Sequence, residues 1–290
     1  MSADGASLPT TDPEPRLLEL ADGALAYTDE GPPGAPAVIA VHGIPGSVRD
    51  FRYLAPQLTA DLRVLRVNLP GFGGSAPVAD AVATLHGRAR AVLALADGLR
   101  LERFAVLGHS MGGGTALVLA AEHPARVSHL VLLASLALRP HRGLGAPRAA
   151  FTWASRAMAV PGLRTLLLPW VREEYRRRRF PGADEKTAAD FAVQIRALTA
   201  ADFGVMRTAV RAALPPTLVA FARDDHMIET AISEELAAAL PQAQVMAFDE
   251  GGHNIQKTRA VELGRAIRGL VVLSQGGHSH TAPMGVRDPP

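Results

Sequence analysis

The pentapeptide Gly108–Gly112 has the form G-x-S-x-G, with Ser110 at its centre. It follows a short apolar segment and precedes an alanine-rich one, which is the context of a tight strand-to-helix turn that exposes a serine. Small residues two positions before and after the serine let the backbone turn there without a clash. Amide groups at the start of the following helix would then face charge that develops on a substrate. We therefore predict that Ser110 is a nucleophile; a glycine-rich turn without chemistry is the alternative.

A serine hydroxyl needs a base to activate it, and the base needs a third group to hold its tautomer. Downstream of Ser110, the apolar segment Leu218–Phe221 is followed closely by Asp224 and Asp225, and the next apolar segment, Val245–Phe248, is followed by DEGGH, which ends at His253. Carboxyl ends of parallel strands meet at one edge of a sheet, so these groups would lie beside the serine. We predict that His253 is the base and that one of the two aspartates orients it.

A mostly parallel α/β sheet is predicted to position these residues, because short apolar runs alternate with longer helical segments. Their continuous apolar character is typical of strands that are covered on both faces. The predicted strands are Ala37–Val41, Arg63–Asn68, Phe104–Leu107, Val127–Leu133, Leu218–Phe221 and Val245–Phe248. The predicted helices are Asp50–Thr59, Ala81–Gly98, Ser110–His123, Glu229–Ala239 and Thr258–Val272. An Asp-Gly turn at residues 22–23 predicts an N-terminal hairpin from residues 17–20 and 24–28.

One long stretch interrupts this alternation. Residues 138–214 contain no strand pattern, only helical material rich in Ala, Arg and Leu, so we interpret them as a helical insertion. It would sit over the carboxyl ends of the strands, where open α/β sheets bind ligands. Residues 16–137 and 215–274 then form the core domain. Residues 1–15 and 275–290 are polar and rich in Pro and Gly, and we expect both to be disordered.

The chain resembles the α/β-hydrolase superfamily over nearly all of its ordered length. Besides GHSMGG at the serine and DEGGH at the histidine, it has HGIPG at residues 42–46 after one strand. After the next strand it has NLPGFGGS at residues 68–75. These two segments are similar to the H-G-x-P and D-x-P-G-x-G-x-S signatures of that superfamily. The resemblance implies that the insertion at 138–214 is a helical cap.

The resemblance also assigns further residues. It implies an oxyanion hole formed by the backbone amides of Ile44 and Met111. The family spaces its acid three residues after the glycine that ends a strand; Ala222 occupies that place, which selects Asp225 over its neighbour. Asn68 departs from the family, because many relatives have Asp there. We expect that difference to affect loop packing more than chemistry.

Serine at position 110 argues against epoxide hydrolases and dehalogenases, which have an aspartate nucleophile at this turn. The surrounding sequence is most similar to carboxylesterases, lactonases, monoacylglycerol lipases and carbon–carbon bond hydrolases. We predict cleavage of a carboxylic ester, or a lactone-like carbonyl, of a small to medium apolar substrate through an acyl-enzyme. The alternatives are carbon–carbon hydrolysis, acyl transfer or perhydrolysis on the same triad, and a ligand sensor without turnover.

Composition limits the partners that the chain could have. The formal net charge is only +2 and cysteine is absent, which argues against nucleic-acid binding and excludes disulfides and thiolate metal sites. No histidine pair has the i, i+4 spacing of a helical zinc site, and the predicted mechanism requires no cofactor or metal. The N-terminus lacks the features of a signal peptide, so we expect a cytoplasmic protein without membrane attachment. The sequence leaves open whether the chain forms a homodimer.

Aromatic and apolar residues within the insertion have two interpretations. They could line an apolar substrate pocket between cap and core, or they could hold the cap helices together. These residues are Phe151, Trp153, Trp170 and Leu166–Leu168. A run of two glutamates and four arginines at residues 173–179 has the i, i+4 spacing that stabilises an exposed helix, which we favour over an anion site.

Overall fold

The computed structural model describes residues 12–273, apart from residues 22, 77–82, 145–147, 178–183 and 185. An eight-stranded sheet with the order β1-β2-β4-β3-β5-β6-β7-β8 forms its centre. β2 pairs antiparallel with β1 and β4, and all other pairs are parallel. The strands are β1 (Arg16–Leu18), β2 (Leu25–Glu30), β3 (Ala37–Val41), β4 (Arg63–Val67), β5 (Phe104–His109), β6 (Val127–Leu133), β7 (Thr217–Ala222) and β8 (Gln244–Phe248). The predicted α/β fold class is therefore confirmed.

Helices cover both faces of this sheet. They are α1 (Leu85–Gly98), α2 (Met111–Glu122), α3 (Arg148–Ala159), α4 (Pro161–Arg177), α5 (Ala188–Thr199), α6 (Phe203–Ala209), α7 (Thr230–Ala238), α8 (Ile255–Thr258) and α9 (Ala260–Leu273). Short 3-10 helices lie at Val48–Phe51, Ala55–Gln57 and Arg142–Leu144. Within the described ranges, no helix is both long and apolar enough to cross a membrane.

The central strands alternate their side chains between two apolar cores, as the pleat of a strand requires. Ile39 and Val41 of β3 pack with α1, α2 and α7 on one face of the sheet. Val38 and Ala40 of the same strand pack with α8, α9 and the first two 3-10 helices on the other. Burial on both faces explains why these strands are continuous apolar runs in the sequence.

Two predictions about the elements are wrong. The single helix expected at Asp50–Thr59 is replaced by the two 3-10 helices at Val48–Phe51 and Ala55–Gln57. Pro56 lies in the middle of the expected helix, where it removes an amide donor and disrupts the preceding turn. Strand β8 is not covered on both faces: it is the edge strand, and Val245 is 50% exposed.

Helices α3 to α6 all lie between β6 and β7, and the described residues between those strands contain no strand. Val171 and Tyr175 of α4 form a small cluster with Phe191 and Ile195 of α5. Helix α6, by contrast, joins the core that lies under α2. The domain boundaries drawn around residues 138–214 stay a prediction, as do the disordered ends at 1–15 and 275–290, most of which lie outside the described residues.

The aromatic residues of this stretch match neither interpretation given above. Trp153 and Trp170 are 62% and 60% exposed, so neither is enclosed in a pocket or between helices. Leu166 is also exposed, whereas Leu167 and Leu168 pack against the small cluster. Arg177 forms the predicted i, i+4 ion pair with Glu173 on the surface of α4. The side chain of Phe151 lies outside the described residues, as does the end of the charged run.

A substitution at Gly112 tests the close packing at the start of α2. A Cβ at this position would lie 2.1 Å from the carbonyl oxygen of Val41, and backbone atoms have little room to move. We expect Gly112→Ala to lower the free energy of unfolding by about 1–3 kcal/mol. Urea denaturation followed by circular dichroism measures this change.

Gly162 provides the matched control, because a Cβ there would meet no atom within 4 Å and the residue lies on an exposed helix. Gly162→Ala should leave the stability unchanged or raise it by up to about 1 kcal/mol. Equal denaturation midpoints for Gly112→Ala and Gly162→Ala would contradict the packing described here.

Candidate active site

Ser110 occupies a strained turn between β5 and α2. Its backbone has φ 54° and ψ −119°, in a region that residues other than glycine rarely adopt. Neighbouring strands hold this conformation: the Ser110 amide donates to the oxygen of Leu133, and the Ser110 carbonyl accepts from the amide of Leu136. A Cβ at Gly108 would lie 2.2 Å from the oxygen of Gly112, so the turn requires glycine there.

A chain of two hydrogen bonds joins the serine to a buried carboxylate. The His253 Nε2 atom lies 3.0 Å from Ser110 Oγ, and His253 Nδ1 lies 2.8 Å from Asp225 Oδ2. An ionised carboxylate only accepts, so Nδ1 carries the proton and Nε2 is free to accept one from the serine. The three residues follow β5, β7 and β8, whose carboxyl ends lie at one edge of the sheet.

Asp225 is held as an anion by its surroundings. Its other oxygen, Oδ1, accepts from the amides of Met227 at 2.7 Å and Ile228 at 3.0 Å. Burial alone would raise the pKa of the Asp225 carboxyl, but the hydrogen bond and charge of His253, with those two amides, lower it below its ordinary value. Asp225 therefore presents a negative charge to the imidazole throughout the neutral pH range.

Asp224 has a different position. Its side chain is exposed, and Oδ1 accepts from the backbone amide of Gly252 at 2.7 Å. That hydrogen bond lowers the pKa of Asp224 and supports the loop that carries His253. The structure thus brings Asp225, and not its neighbour, into contact with the histidine.

His109 also contacts the loop that carries His253, a feature that the sequence analysis missed. The His109 Nε2 atom lies 2.9 Å from the carbonyl oxygen of His253, to which it must donate, and the two rings are 4.9 Å apart. Burial, with the charge of His253, lowers the pKa of His109 to about 3, so the ring stays neutral. A histidine beside the serine, at the end of a buried strand, is the only sequence signal of this contact.

The segment predicted to supply the oxyanion hole lies against the serine. A Cβ at Gly43 would come within 2.8 Å of the Ser110 Cβ, so this backbone passes directly beside the hydroxyl-bearing residue. Within the described part of the chain, the amides of Ile44 and Met111 donate no hydrogen bond. Two unused donors beside a nucleophile are what stabilisation of an oxyanion requires. Their role as an oxyanion hole stays a prediction.

Buried polar side chains hold that segment in place. His42 is fully buried, donates from Nδ1 to the oxygen of Gly43 and accepts at Nε2 from the amide of Leu69. Burial lowers the pKa of His42, which keeps it neutral. Asn68 accepts from the amide of Val48 and donates to the carbonyl of Gly73. An aspartate could not make that second bond, so the amide ties two loops together.

Two further histidines, His226 and His141, lie near the serine and His253. Throughout the described residues, no group of three or more His, Asp or Glu side chains is arranged to hold a metal ion. His226 lies near the site, with its ring 6.4 Å from that of His253. His141 contacts the carbonyl of Met227, two residues after Asp225. The hydrogen bonds from Asp225 to His253 and from His253 to Ser110 favour acid–base activation of a serine nucleophile.

Comparisons with known proteins agree with this fold. A family model described as alpha/beta hydrolase fold matches residues 36–260. A 2-hydroxy-6-oxononadienedioate/2-hydroxy-6-oxononatrienedioate hydrolase of Cupriavidus pinatubonensis is 28% identical, over 81% of this chain and 86% of its own. A dihydrolipoyllysine-residue acetyltransferase component of an acetoin cleaving system of Pseudomonas putida is 29% identical over an alignment that covers 91% of this chain and 70% of that protein. The solved structure of an enol-lactonase from Burkholderia xenovorans LB400 matches with a TM-score of 0.70 at 22% identity. The match covers 89% of this chain and 100% of the enol-lactonase, which shows a shared fold.

The reactivity of the serine tests the hydrogen-bonded chain without any assumption about substrate. A fluorophosphonate should phosphonylate Ser110 once, as peptide mass spectrometry can show, and Ser110→Ala should remain unlabelled. Asp225→Asn should slow labelling by about 1,000-fold or more, because the amide no longer holds the required imidazole tautomer.

Asp224→Asn is the matched control, since it makes the same chemical change one residue away. We expect its labelling rate to stay within about tenfold of wild type, the range of a supporting contact that lies outside the proton-transfer path. A slow Asp224→Asn variant beside a fast Asp225→Asn variant would reverse the assignment.

Proposed function

The chain belongs to the α/β-hydrolase fold family, and on that premise we propose that it is a serine hydrolase that cleaves carboxylic esters through an acyl-enzyme. One observation carries the proposal: the unbroken hydrogen-bonded chain from Asp225 through His253 to Ser110. These hydrogen bonds are what makes a serine hydroxyl nucleophilic, and the backbone amides of Ile44 and Met111 are the proposed donors to the oxyanion.

In the first step, His253 Nε2 accepts the hydroxyl proton as Ser110 Oγ attacks the carbonyl carbon of the ester. The imidazolium that results is stabilised by the Asp225 carboxylate, which stays ionised. As the tetrahedral intermediate collapses, the carbon–oxygen bond of the ester breaks and His253 gives its proton to the departing alkoxide. The products of this step are an alcohol and Ser110 esterified with the acyl group.

The second step repeats the first with water as the nucleophile. His253 removes a proton from water, hydroxide attacks the acyl carbon, and the proton is returned to Ser110 as the carboxylic acid leaves. In both steps the carbonyl oxygen gains negative charge beside the amides of Ile44 and Met111. Loss of one oxyanion donor costs about 3 kcal/mol of transition-state stabilisation in serine hydrolases.

Carbon–carbon bond hydrolysis is a second candidate. It is favoured by the Cupriavidus pinatubonensis relative, whose name gives 2-hydroxy-6-oxononadienedioate as its substrate. The same triad could act on such a ketone, with a stabilised carbanion in place of an alkoxide as the leaving group. Ester cleavage is the broader proposal, because an alkoxide needs only the proton that His253 supplies in order to leave.

Acyl transfer to an acceptor other than water is a variant of the same mechanism. The Pseudomonas putida relative is named as an acetyltransferase component, so added alcohols or peroxide belong among the acceptors tested. A shift of product from acid to ester or peracid would identify transfer. Tight binding of a ligand with negligible turnover would instead identify a sensor.

The experiment is hydrolysis of p-nitrophenyl esters from acetate to decanoate by wild type and Ser110→Ala. We expect wild-type turnover with an optimum at one chain length, and a loss of about 10,000-fold or more in the variant. Ser128→Ala is the control, because Ser128 lies near the amino end of β6, on the opposite edge of the sheet from the site.

Two results would contradict the proposal. Ester turnover that survives in Ser110→Ala would exclude the serine mechanism. Wild-type inactivity on all esters, combined with cleavage of 2-hydroxy-6-oxononadienedioate, would replace ester hydrolysis with the carbon–carbon reaction.

A further inference from the structure

An exposed apolar stripe runs along α3 and α4. Large apolar side chains on these helices and at their junction are at least 44% exposed, namely Trp153, Val160, Leu163, Leu166 and Trp170. Successive members are three, four or seven residues apart, which is the spacing of side chains on one side of a helix. The helical spacing continues across the junction, because the amide of Arg164 donates to the carbonyl of Val160. We call these side chains the α3–α4 face.

Packing within the protein does not account for the α3–α4 face. Other residues attach the two helices to their neighbours: Ala154 and Met158 of α3 are buried, and Val171 and Tyr175 of α4 pack in the small cluster with α5. The stripe therefore points away from that cluster and into solvent. Single exposed apolar residues are normal on a protein surface, whereas a contiguous apolar patch marks a surface that binds a partner.

The charge around this face is positive. From residue 148 to residue 172 the sequence has four arginines and no aspartate or glutamate. Arg156 belongs to the same helical stripe and is exposed, and Arg164 is exposed in the first turn of α4. Among the described residues neither of them forms an ion pair with a carboxylate; the ion pair of Glu173 with Arg177 lies at the other end of α4. The partner that complements this surface is therefore anionic and can also accept apolar side chains.

We propose that the α3–α4 face docks on the surface of a lipid bilayer that contains anionic lipids. A helix that lies in the bilayer interface combines an apolar face of Trp, Phe or Leu with Lys or Arg on its polar side. Tryptophan favours this interface because its ring is largely apolar and its indole N–H can still reach water or a headgroup.

A second copy of the chain fits this surface less well than a bilayer does. In a symmetric dimer each copy presents the same patch to the other, so the arginines without ion pairs would meet one another. The proposal does not depend on ester hydrolysis. It departs from the expectation of a chain without membrane attachment, which rested on the N-terminal sequence and not on any surface of the fold.

Tryptophan fluorescence tests the proposal directly, because both tryptophans of the chain belong to the α3–α4 face. Vesicles of phosphatidylcholine alone, or of phosphatidylcholine mixed with phosphatidylglycerol, are titrated into the wild-type protein. We expect the mixed vesicles to shift the tryptophan emission to shorter wavelength and to carry the protein into the pellet on centrifugation. Binding to phosphatidylcholine alone should be weaker by about tenfold or more, because it lacks the attraction between arginine and anionic headgroups.

Leu166→Gln removes apolar area from the face and keeps both tryptophans as reporters. It should weaken binding to the mixed vesicles by about tenfold or more, the loss that corresponds to one leucine side chain that is no longer buried. Leu17→Gln is the matched control, because Leu17 is 61% exposed on β1, at the edge of the sheet. It should bind the vesicles as wild type does, and equal urea midpoints for the two variants would show that both are folded.

The contribution of charge is tested with two double variants. Arg156→Gln combined with Arg164→Gln should reduce the preference for mixed vesicles by about tenfold. Arg90→Gln combined with Arg265→Gln removes the same net charge from exposed positions on α1 and α9, and it should leave the preference at the wild-type value. An equal reduction in both double variants would show general attraction between protein and vesicle, and would overturn docking through this face.

Three further results would overturn the proposal. The first is wild-type protein that neither changes its emission nor sediments with vesicles of either composition. The second is vesicle binding by Leu166→Gln that equals binding by Leu17→Gln. The third is a wild-type dimer, found by analytical ultracentrifugation without vesicles, that Leu166→Gln dissociates; that result would assign the α3–α4 face to a second copy of the chain.

Discussion

The buried carboxylate of Asp225 is the constraint on which the candidate site depends. It accepts two backbone amides on one oxygen and the His253 ring on the other, so its position and its charge are both fixed. Because the carboxylate cannot donate, it sets the imidazole tautomer, and the tautomer in turn directs the free nitrogen towards Ser110. The Asp225 carboxylate, after β7, thereby determines whether the Ser110 hydroxyl, after β5, can give its proton to His253.

The rest of the fold holds the side chains of Ser110, Asp225 and His253 in position. The parallel strands place the three side chains at one sheet edge, and the strained backbone at Ser110 lifts the hydroxyl towards His253. His109 and Asp224 each support the histidine loop through a hydrogen bond to one of its backbone atoms. The strained backbone of Ser110 is held by the close packing of Gly112 against β3 and by hydrogen bonds to Leu133 and Leu136, at and just after the end of β6.

The centre of the sheet could be predicted because its strands are buried on both faces. Ala37–Val41 and Val127–Leu133 match the structure residue for residue, since a short and largely apolar run is typical of a strand that is covered on both faces. The helix expected at Asp50–Thr59 failed because one proline outweighed the apolar pattern around it. Contacts between distant parts of the sequence could not be predicted: the contact of His109 with the His253 carbonyl depends on how separate segments pack. The choice of Asp225 over Asp224 came from a family resemblance, whereas in the structure it follows from a local turn at residues 225–228.

The most direct measurement of the central claim is the trapping of a covalent intermediate. Wild-type protein mixed with a p-nitrophenyl ester and quenched in acid within milliseconds would be digested and mapped by mass spectrometry. The account predicts an acyl group on the peptide that contains Ser110, at an occupancy that matches a burst of p-nitrophenol. Burst kinetics with the acyl group on another residue, or steady turnover by a protein that never carries one on Ser110, would contradict it.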